Sequence, residues 1–431
     1  MLLITGGRDV KVYQKTTLDN GLRLLTSNMP HTRAVSIGFF IGAGSRYETD
    51  TQAGISHFIE HLCFKGTPKH PTAADISAVI EGVGGMINAG TDRELTVYWC
   101  KVAQSHFTAS LEVIVDMLLN SLFDPKEIEK ERHVIIEEIN MSLDSPIQRA
   151  VMLIDELLWP GHPLGRDIAG SKESVAGIKR EMILDYLAGY YQPGNAVVAV
   201  AGDIRHEEIM ETVAGITTAW TDKQSPAGFL PYRKKNGKRV MIEKRETEQT
   251  QMILALPGLS ITHPDRFKLD LLNVILGEGM SSRLFTKIRD NLGLAYSIQS
   301  YTEHLLDSGA TAISAGVDAK NLQVAIKAIL QELHRLQEPV PESELTKAKE
   351  LSKGRILLRL EDSRSVSGWI GGQEILTGSI LTVDQVISII DAITAEELQK
   401  LAKEILVSEG LRLAVVGPID PDEPLEDLLI L

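Results

Sequence analysis

The chain has 431 residues, 43% of them hydrophobic and 24% charged, with a formal net charge of −14. This length exceeds what one hydrophobic core usually organises, so two domains are expected, and the composition excludes a disordered or fibrous chain. The acidity disfavours a nucleic-acid partner, and no apolar run reaches the 18 residues a membrane span needs.

Two cysteines, Cys63 and Cys100, cannot make a disulfide framework and read as buried small apolar residues. Met1 to Ile4, followed at once by Arg8-Asp9, is too short for the apolar part of a signal sequence, so the cytoplasm is the expected location.

In chain order, Val10 to Ser27 reads as a hairpin turning at Asn20-Gly21. Ala34 to Ile41 is an apolar strand. A helix from about Thr51 to Phe64 carries His57, Glu60 and His61. A short helix capped by Thr72 ends before Gly82. Gly84 to Ala89 and Leu95 to Val102 read as paired strands, and Ser105 opens a helix with Phe107, Leu111, Ile114, Val115 and Leu118 on its apolar face. Asp124-Pro125 opens a long charged helix to about Leu143. After more helix, Asn195 to Gly202 is a buried strand.

Thr221 to Lys238, rich in proline and glycine and with the basic run Arg233-Lys234-Lys235, reads as a solvated linker. Beyond it the order recurs. Strands are expected at Arg239–Lys244, Gln251–Leu256, Tyr296–Tyr301, Ala310–Val317 and Leu411–Ile419. Helices are expected at Pro264–Leu276, Ser282–Asn291 and Asn321–Leu336. A repeat of about 215 residues suggests a duplicated unit. The expected organisation is residues 1–222, a linker at 223–238, and residues 239–431. Strands followed by helices favour an α+β fold whose halves are mostly antiparallel.

The chemistry concentrates at His57-Phe58-Ile59-Glu60-His61. On a helix, residues three and four apart share a face, so two imidazoles and a carboxylate project together. Two histidines one turn apart suit zinc, and a carboxylate between them can take a proton from an activated water. H-x-x-E-H is a known metallopeptidase pattern. The second half lacks it, so one zinc per chain follows. A third ligand is needed. The long helix offers Glu131 and Glu138, two turns apart on one face, with Glu137 about 100° away. Val134, Ile135 and Ile139 are expected to bury part of that helix.

With these motifs the sequence resembles the inverted-motif zinc peptidases that include pitrilysin, insulin-degrading enzyme and the mitochondrial processing peptidase. The resemblance covers nearly the whole chain. It extends to Asn88-Ala89 with Thr91, Glu94, Thr96 and Tyr98, to Tyr191-Gln192-Pro193-Gly194-Asn195, to Gly279-Met280-Ser281-Ser282-Arg283-Leu284-Phe285, and to Arg289 through Tyr296. It departs at Glu278, where the family often has glycine, and at Cys63, where a larger apolar residue is common. The resemblance implies two homologous halves closing as a clamshell, as a monomer or a homodimer. It implies Zn²⁺ held by His57, His61 and Glu138, with Glu131 supporting the site and Glu60 as general base. It further implies that Arg289 and Tyr296 reach the substrate backbone from the second half.

The expected activity is cleavage of unfolded peptides or flexible segments. The peptide would add as a strand along Met86, Ile87, Asn88 and Ala89. The alternative is a non-catalytic peptide-binding or assembly subunit on the same fold. Such a chain would be expected to lack ligands or base, and this one keeps them all.

Overall fold

Two sheets with the same strand plan organise the molecule. The computed structural model describes residues 13–221, 228–235 and 237–431. The first sheet comprises β1 (Gln14–Thr17), β2 (Arg23–Asn28), β3 (Ala34–Ile41), β4 (Met86–Thr91), β5 (Thr96–Ala103) and β6 (Ala196–Gly202), in the order β1-β2-β6-β3-β5-β4. The second comprises β7 (Val240–Lys244), β8 (Thr250–Pro257), β9 (Ala295–His304), β10 (Gly309–Val317) and β11 (Arg412–Gly417), in the order β7-β11-β8-β10-β9. In each, one parallel pair (β2 with β6, β7 with β11) is flanked by antiparallel neighbours. The second sheet therefore repeats the first strand for strand from β2 onward. Residues 10–12 of the expected first hairpin lie outside the described residues, as do 222–227 and 236 of the expected linker.

Residue pattern explains the layers. β3 and β6 are buried on both faces, hence their continuous apolar runs. β5 alternates: Tyr98, Cys100 and Val102 face the main core, while Val97, Trp99 and Lys101 face the other way. Both cysteines are free and fully buried, as expected.

The helices are α1 (Ile55–Cys63), α2 (Ala73–Glu81), α3 (Phe107–Asn120), α4 (Pro125–Asp144), α5 (Pro146–Leu158), α6 (Lys172–Gly177), α7 (Arg180–Tyr190), α8 (His206–Ile216), α9 (Arg266–Gly277), α10 (Leu322–Arg335), α11 (Glu342–Arg359), α12 (Ser363–Thr377), α13 (Val383–Ala392) and α14 (Ala395–Ile405). Thr72 caps α2 through Asp75 N, and Asp124 caps α4 through Lys126 N with Pro125 in the first turn. On α4, Ile128, Ile135 and Ile139 are buried, but Val134 is exposed, contrary to the sequence reading. The expected helix over Ser282–Asn291 winds as a π-helix from Phe285 to Asn291.

The two units exchange cover. α5, in the first part of the chain, packs Ala150, Leu153, Ile154 and Leu157 on Ile253, Ala255, Ala414 and Val416 of the second sheet. α12, in the second part, packs Ile370 on Leu25, Phe40, Val197 and Ala199 of the first. Each fully buried aliphatic chain stabilises by roughly 1.5–3 kcal/mol, so neither sheet face can be left open cheaply. Close approach requires Gly371, since a Cβ there would sit 2.2 Å from the Phe40 ring.

The described part of the linker region is not simply solvated. Arg233, Lys234 and Lys235 are exposed, but Tyr232 N donates to Asp307 and its hydroxyl to the Leu158 carbonyl. Among the described residues, no helix is long and apolar enough to cross a membrane.

Candidate functional site

The site starts from how α1 is anchored. Its N-cap, Gly54, has φ +91°, and a Cβ there would meet the Ala169 carbonyl at 2.3 Å, so only glycine fits. No side chain at the cap position satisfies the first turn. Glu48 does so from outside, accepting from Gly54 N and Ser56 N at 2.8 Å each. Burial pushes the Glu48 carboxyl up to about 7, against the pull of those N–H donors. Ile55, Phe58, Ile59 and Leu62 fill the core. That leaves His57, Glu60 and His61 on a half-buried face between α4 and β4.

The two imidazoles meet edge to face, centroids 4.6 Å apart. Glu138 Oε2 lies 3.9 Å from His57 Nε2 and 3.6 Å from His61 Nε2. Each of the three residues offers one ligand atom within 4.8 Å of the others. Zinc bonds of about 2.0–2.1 Å in a tetrahedron hold ligand atoms roughly 3.3 Å apart, so the Glu138 oxygen needs to draw in by about 0.3 Å toward His61 and about 0.6 Å toward His57. His57 makes no hydrogen bond among the described residues, and its Nδ1 is fully buried. Its Nε2, with Glu138 3.9 Å away and no hydrogen bond among the described residues, is left open to a ligand. Burial, then the neighbouring His61, depresses the His57 pKa to about 4, so the ring is neutral, as metal ligation requires. The donor set thus fits zinc.

Glu131 is buried behind it, accepting from His61 Nδ1 at 3.1 Å and from Lys65 Nζ at 2.6 Å. That holds the His61 ring with Nε2 facing Glu138, as metal-ligating histidines are commonly held by an outer carboxylate. Glu137 is exposed, its side chain bonded among the described residues to Asn140 at 3.3 Å.

Glu60 Oε2 accepts from Thr91 Oγ1 at 2.6 Å. Burial raises the Glu60 pKa above the usual carboxylate range, with the Thr91 bond opposing, a direction that suits a general base. Thr91 ends β4, the edge strand, whose outer side pairs with no strand among the described residues. Ile87 and Ala89 lean on the core beside α1, while Met86 and Asn88 are exposed. An open strand edge therefore runs beside the histidines.

Arg289 and Tyr296 are together but apart from that cluster. The Arg289 guanidinium lies 4.6 Å from the Phe285 ring centre and 5.6 Å from that of Tyr296. Tyr296 is 77% exposed at the start of β9. Neither contacts His57, Glu60, His61 or Glu138 among the described residues. Glu278 is paired with Arg355.

Several positioning groups escaped the sequence reading. Glu48 reads as an ordinary loop acid, and Lys65 as a surface cation. Arg46 is fully buried, yet it pairs with Glu94 and Asp307 and stacks on Phe229 at 3.8 Å. Arg93 bridges Asp155 and Glu303. These two arginines tie the β9–β10 hairpin to the first sheet.

Residues 23–172 match the family model described as Insulinase (Peptidase family M16), and 177–352 match that of the Peptidase M16 inactive domain. The uncharacterized zinc protease YmxG of Bacillus subtilis is 36% identical over 408 residues, covering 94% of this chain and 98% of that one. An uncharacterized zinc protease of Rickettsia felis is 33% identical over 409 residues, covering 95% and 98%. Among solved structures, a protease from Helicobacter pylori shares the fold with TM-score 0.89 at 24% identity, covering 94% of this chain and 99% of that chain. A chain of complex III from Candida albicans does so with TM-score 0.80 at 19% identity, covering 97% and 100%.

Proposed function

The chain belongs to the M16 family of peptidases, and from that premise we propose that it is a zinc-dependent endopeptidase acting on unfolded peptides or flexible segments. The observation that carries the reading is the convergence of His57, His61 and Glu138 beside Glu60, with Glu60 tied to the edge strand through Thr91. In this reading His57, His61 and Glu138 hold one zinc ion per chain. When bound, zinc supplies a Lewis acid for the carbonyl and lowers the pKa of the attacking water.

The protein groups do the rest. The backbone of β4 at Met86, Ile87, Asn88 and Ala89 pairs with the substrate as an added strand, which fixes its register beside α1. Glu60 accepts the proton of the attacking water and delivers it to the leaving amine. Glu131 keeps His61 oriented. Arg289 and Tyr296 approach from the second half as donors to the substrate carbonyl, so the site is complete only when the halves close.

Metal analysis of the purified chain, with cleavage of an unstructured peptide library before and after chelation, tests the reading. About one zinc per chain and chelator-sensitive cleavage are expected. Cleavage that survives thorough removal of metal, or a chain that binds none, refutes it.

A further inference from the structure

The open edge of β4 has two faces, and the histidines use only one. The β4–β5 register sets Ala89 opposite Tyr98 and Thr91 opposite Thr96 on the core side, and Asn88 opposite Trp99 and Gly90 opposite Val97 on the other. A peptide added outside β4 alternates in the same way. Every second side chain turns toward α1, and the others turn toward α12.

On that second face lies a groove of about 400 Å³ between the sheet and the start of α12. Its floor includes Gly38, Val97 and Trp99, and it reaches the edge at Gly90, where an added Cβ would meet nothing within 4 Å. A side chain on the added strand can therefore lean across Gly90 into it.

The groove is basic in a chain whose net charge is −14. Arg364 lies over Trp99, its guanidinium carbon 3.6 Å from the ring centre. Arg359 also lines the space. Among the described residues neither arginine has a carboxylate partner. Asp362 lines the groove as well, but it is paired with Lys101 and caps α12 through Ser365 N. The amino end of α12 adds a partial positive charge. Stacking holds the guanidinium by its face and leaves its edge of N–H donors in plane, the geometry that grips a carboxylate through two bonds.

Building on the peptidase reading, we propose that this groove is a specificity subsite for an acidic side chain of the substrate, with Arg364 as its principal contact and Arg359 assisting. The preferred position is one whose side chain faces away from the histidines.

The test walks a single Glu, against Gln, through an unstructured quenched peptide. Cleavage is read with the zinc-loaded wild type, and binding with zinc-loaded Glu60→Gln. At one position, or at two spaced by two residues, Glu should be preferred over Gln by about tenfold in kcat/KM and in affinity. The ratio should fall toward one in Arg364→Ala and recover only partly in Arg364→Lys, which keeps the charge but not the fork. In Arg364→Glu it should reverse, with Gln preferred over Glu at that position. The distant exposed Lys179→Ala should leave it as in wild type. Peptides that are cut with no Glu preference, or with one that ignores position 364, overturn the subsite and leave the peptidase reading standing. An Arg364-dependent Glu preference in binding without any cleavage overturns the peptidase reading and leaves the subsite. Absence of both binding and cleavage overturns the two together.

Discussion

The two sheets place a helix against their edge strand in the same way, and both joints are a threonine bonded to a helix carboxylate. In the first, Thr91 of β4 donates to Glu60 of α1 at 2.6 Å. In the second, Thr302 of β9 donates to Asp270 of α9 at 2.8 Å. The difference lies in what else the carboxylate does. Asp270 Oδ1 is also met by His304 Nε2 at 3.0 Å, while α9 carries no histidine. Asp270 is thereby absorbed into holding its own strand. Among the described residues Glu60 is hydrogen-bonded by Thr91 alone, and the histidines beside it leave a carboxylate of raised pKa facing an open edge. Under the proposed function the same joint is a brace in one half and holds the general base in the other.

The strongest way to break the comparison is to remove the acid chemistry and keep the brace. Glu60→Gln retains an oxygen for Thr91 but cannot take a proton. It should lower kcat by roughly 10²–10⁴-fold with zinc content unchanged. The equivalent change, Asp270→Asn, should leave the rate within a few-fold and register chiefly as a small drop in melting temperature. Equal losses of rate would end the distinction.

Next in size is the contribution of the second half. Tyr296→Phe should reduce kcat by roughly 10–10³-fold without loss of zinc or thermal stability. Arg289→Ala should raise KM as well. If Tyr296→Phe is silent, the second half only frames the site. This test needs the whole chain. A fragment ending near residue 223 would lack α12 and leave Phe40, Val197 and Ala199 uncovered.

Metal retention sharpens the first half internally. Glu131→Gln should weaken zinc affinity by roughly 10–100-fold, as loss of an outer-sphere partner does, and Glu138→Gln should weaken it further. Glu137→Gln, on the exposed side of α4, should match wild type. A reversal of Glu137 and Glu138 in zinc titrations would overturn the ligand assignment.

The smallest expected effect is on stability. The Glu48 carboxyl titrates at about 7 in the fold against an ordinary value of 4.5. Folding thus takes up a proton between those limits. The stabilisation is full below about pH 4.5 and lost as pH rises through about 7. Glu48→Gln, neutral at every pH, should lack this part of the slope, so the wild type should fall relative to it as pH rises through about 7. Parallel melting-temperature curves for the two proteins would show that Glu48 is not the buried acid.

Much of this was legible in the chain. Ala34–Ile41 is a strand to the residue, because an apolar run of that length bounded by charge and glycine has few alternatives. Asp124-Pro125 marked the start of α4 for reasons local to four residues. The histidine face was legible because helical spacing alone sets it. What failed depends on neighbours far away in sequence. Val134 is apolar yet exposed, since periodicity on a charged helix does not say which side faces a partner. The π-winding at Phe285–Asn291 is a shift of hydrogen-bond register that composition does not encode. Arg46 gives no local sign that Glu94 and Asp307 will bury it. The apolar faces of α5 and α12 say that each helix is covered, but not that each lies on the other unit's sheet.

That exchange has a consequence for how the protein is made. The last strand of the first sheet ends at Gly202, and its cover α12 begins at Ser363, 161 residues later. At ribosomal speeds of about 5–20 residues per second, the nascent sheet waits roughly 8–30 s with one apolar face bare. α5, finished early, waits longer still for β11 at Arg412–Gly417. Birth of this chain is therefore a sequence of postponed closures, and a holdase chaperone should crosslink to arrested chains ending near residue 260 but release those carrying α12. Release before α12 is synthesised would mean that something else shields the face meanwhile.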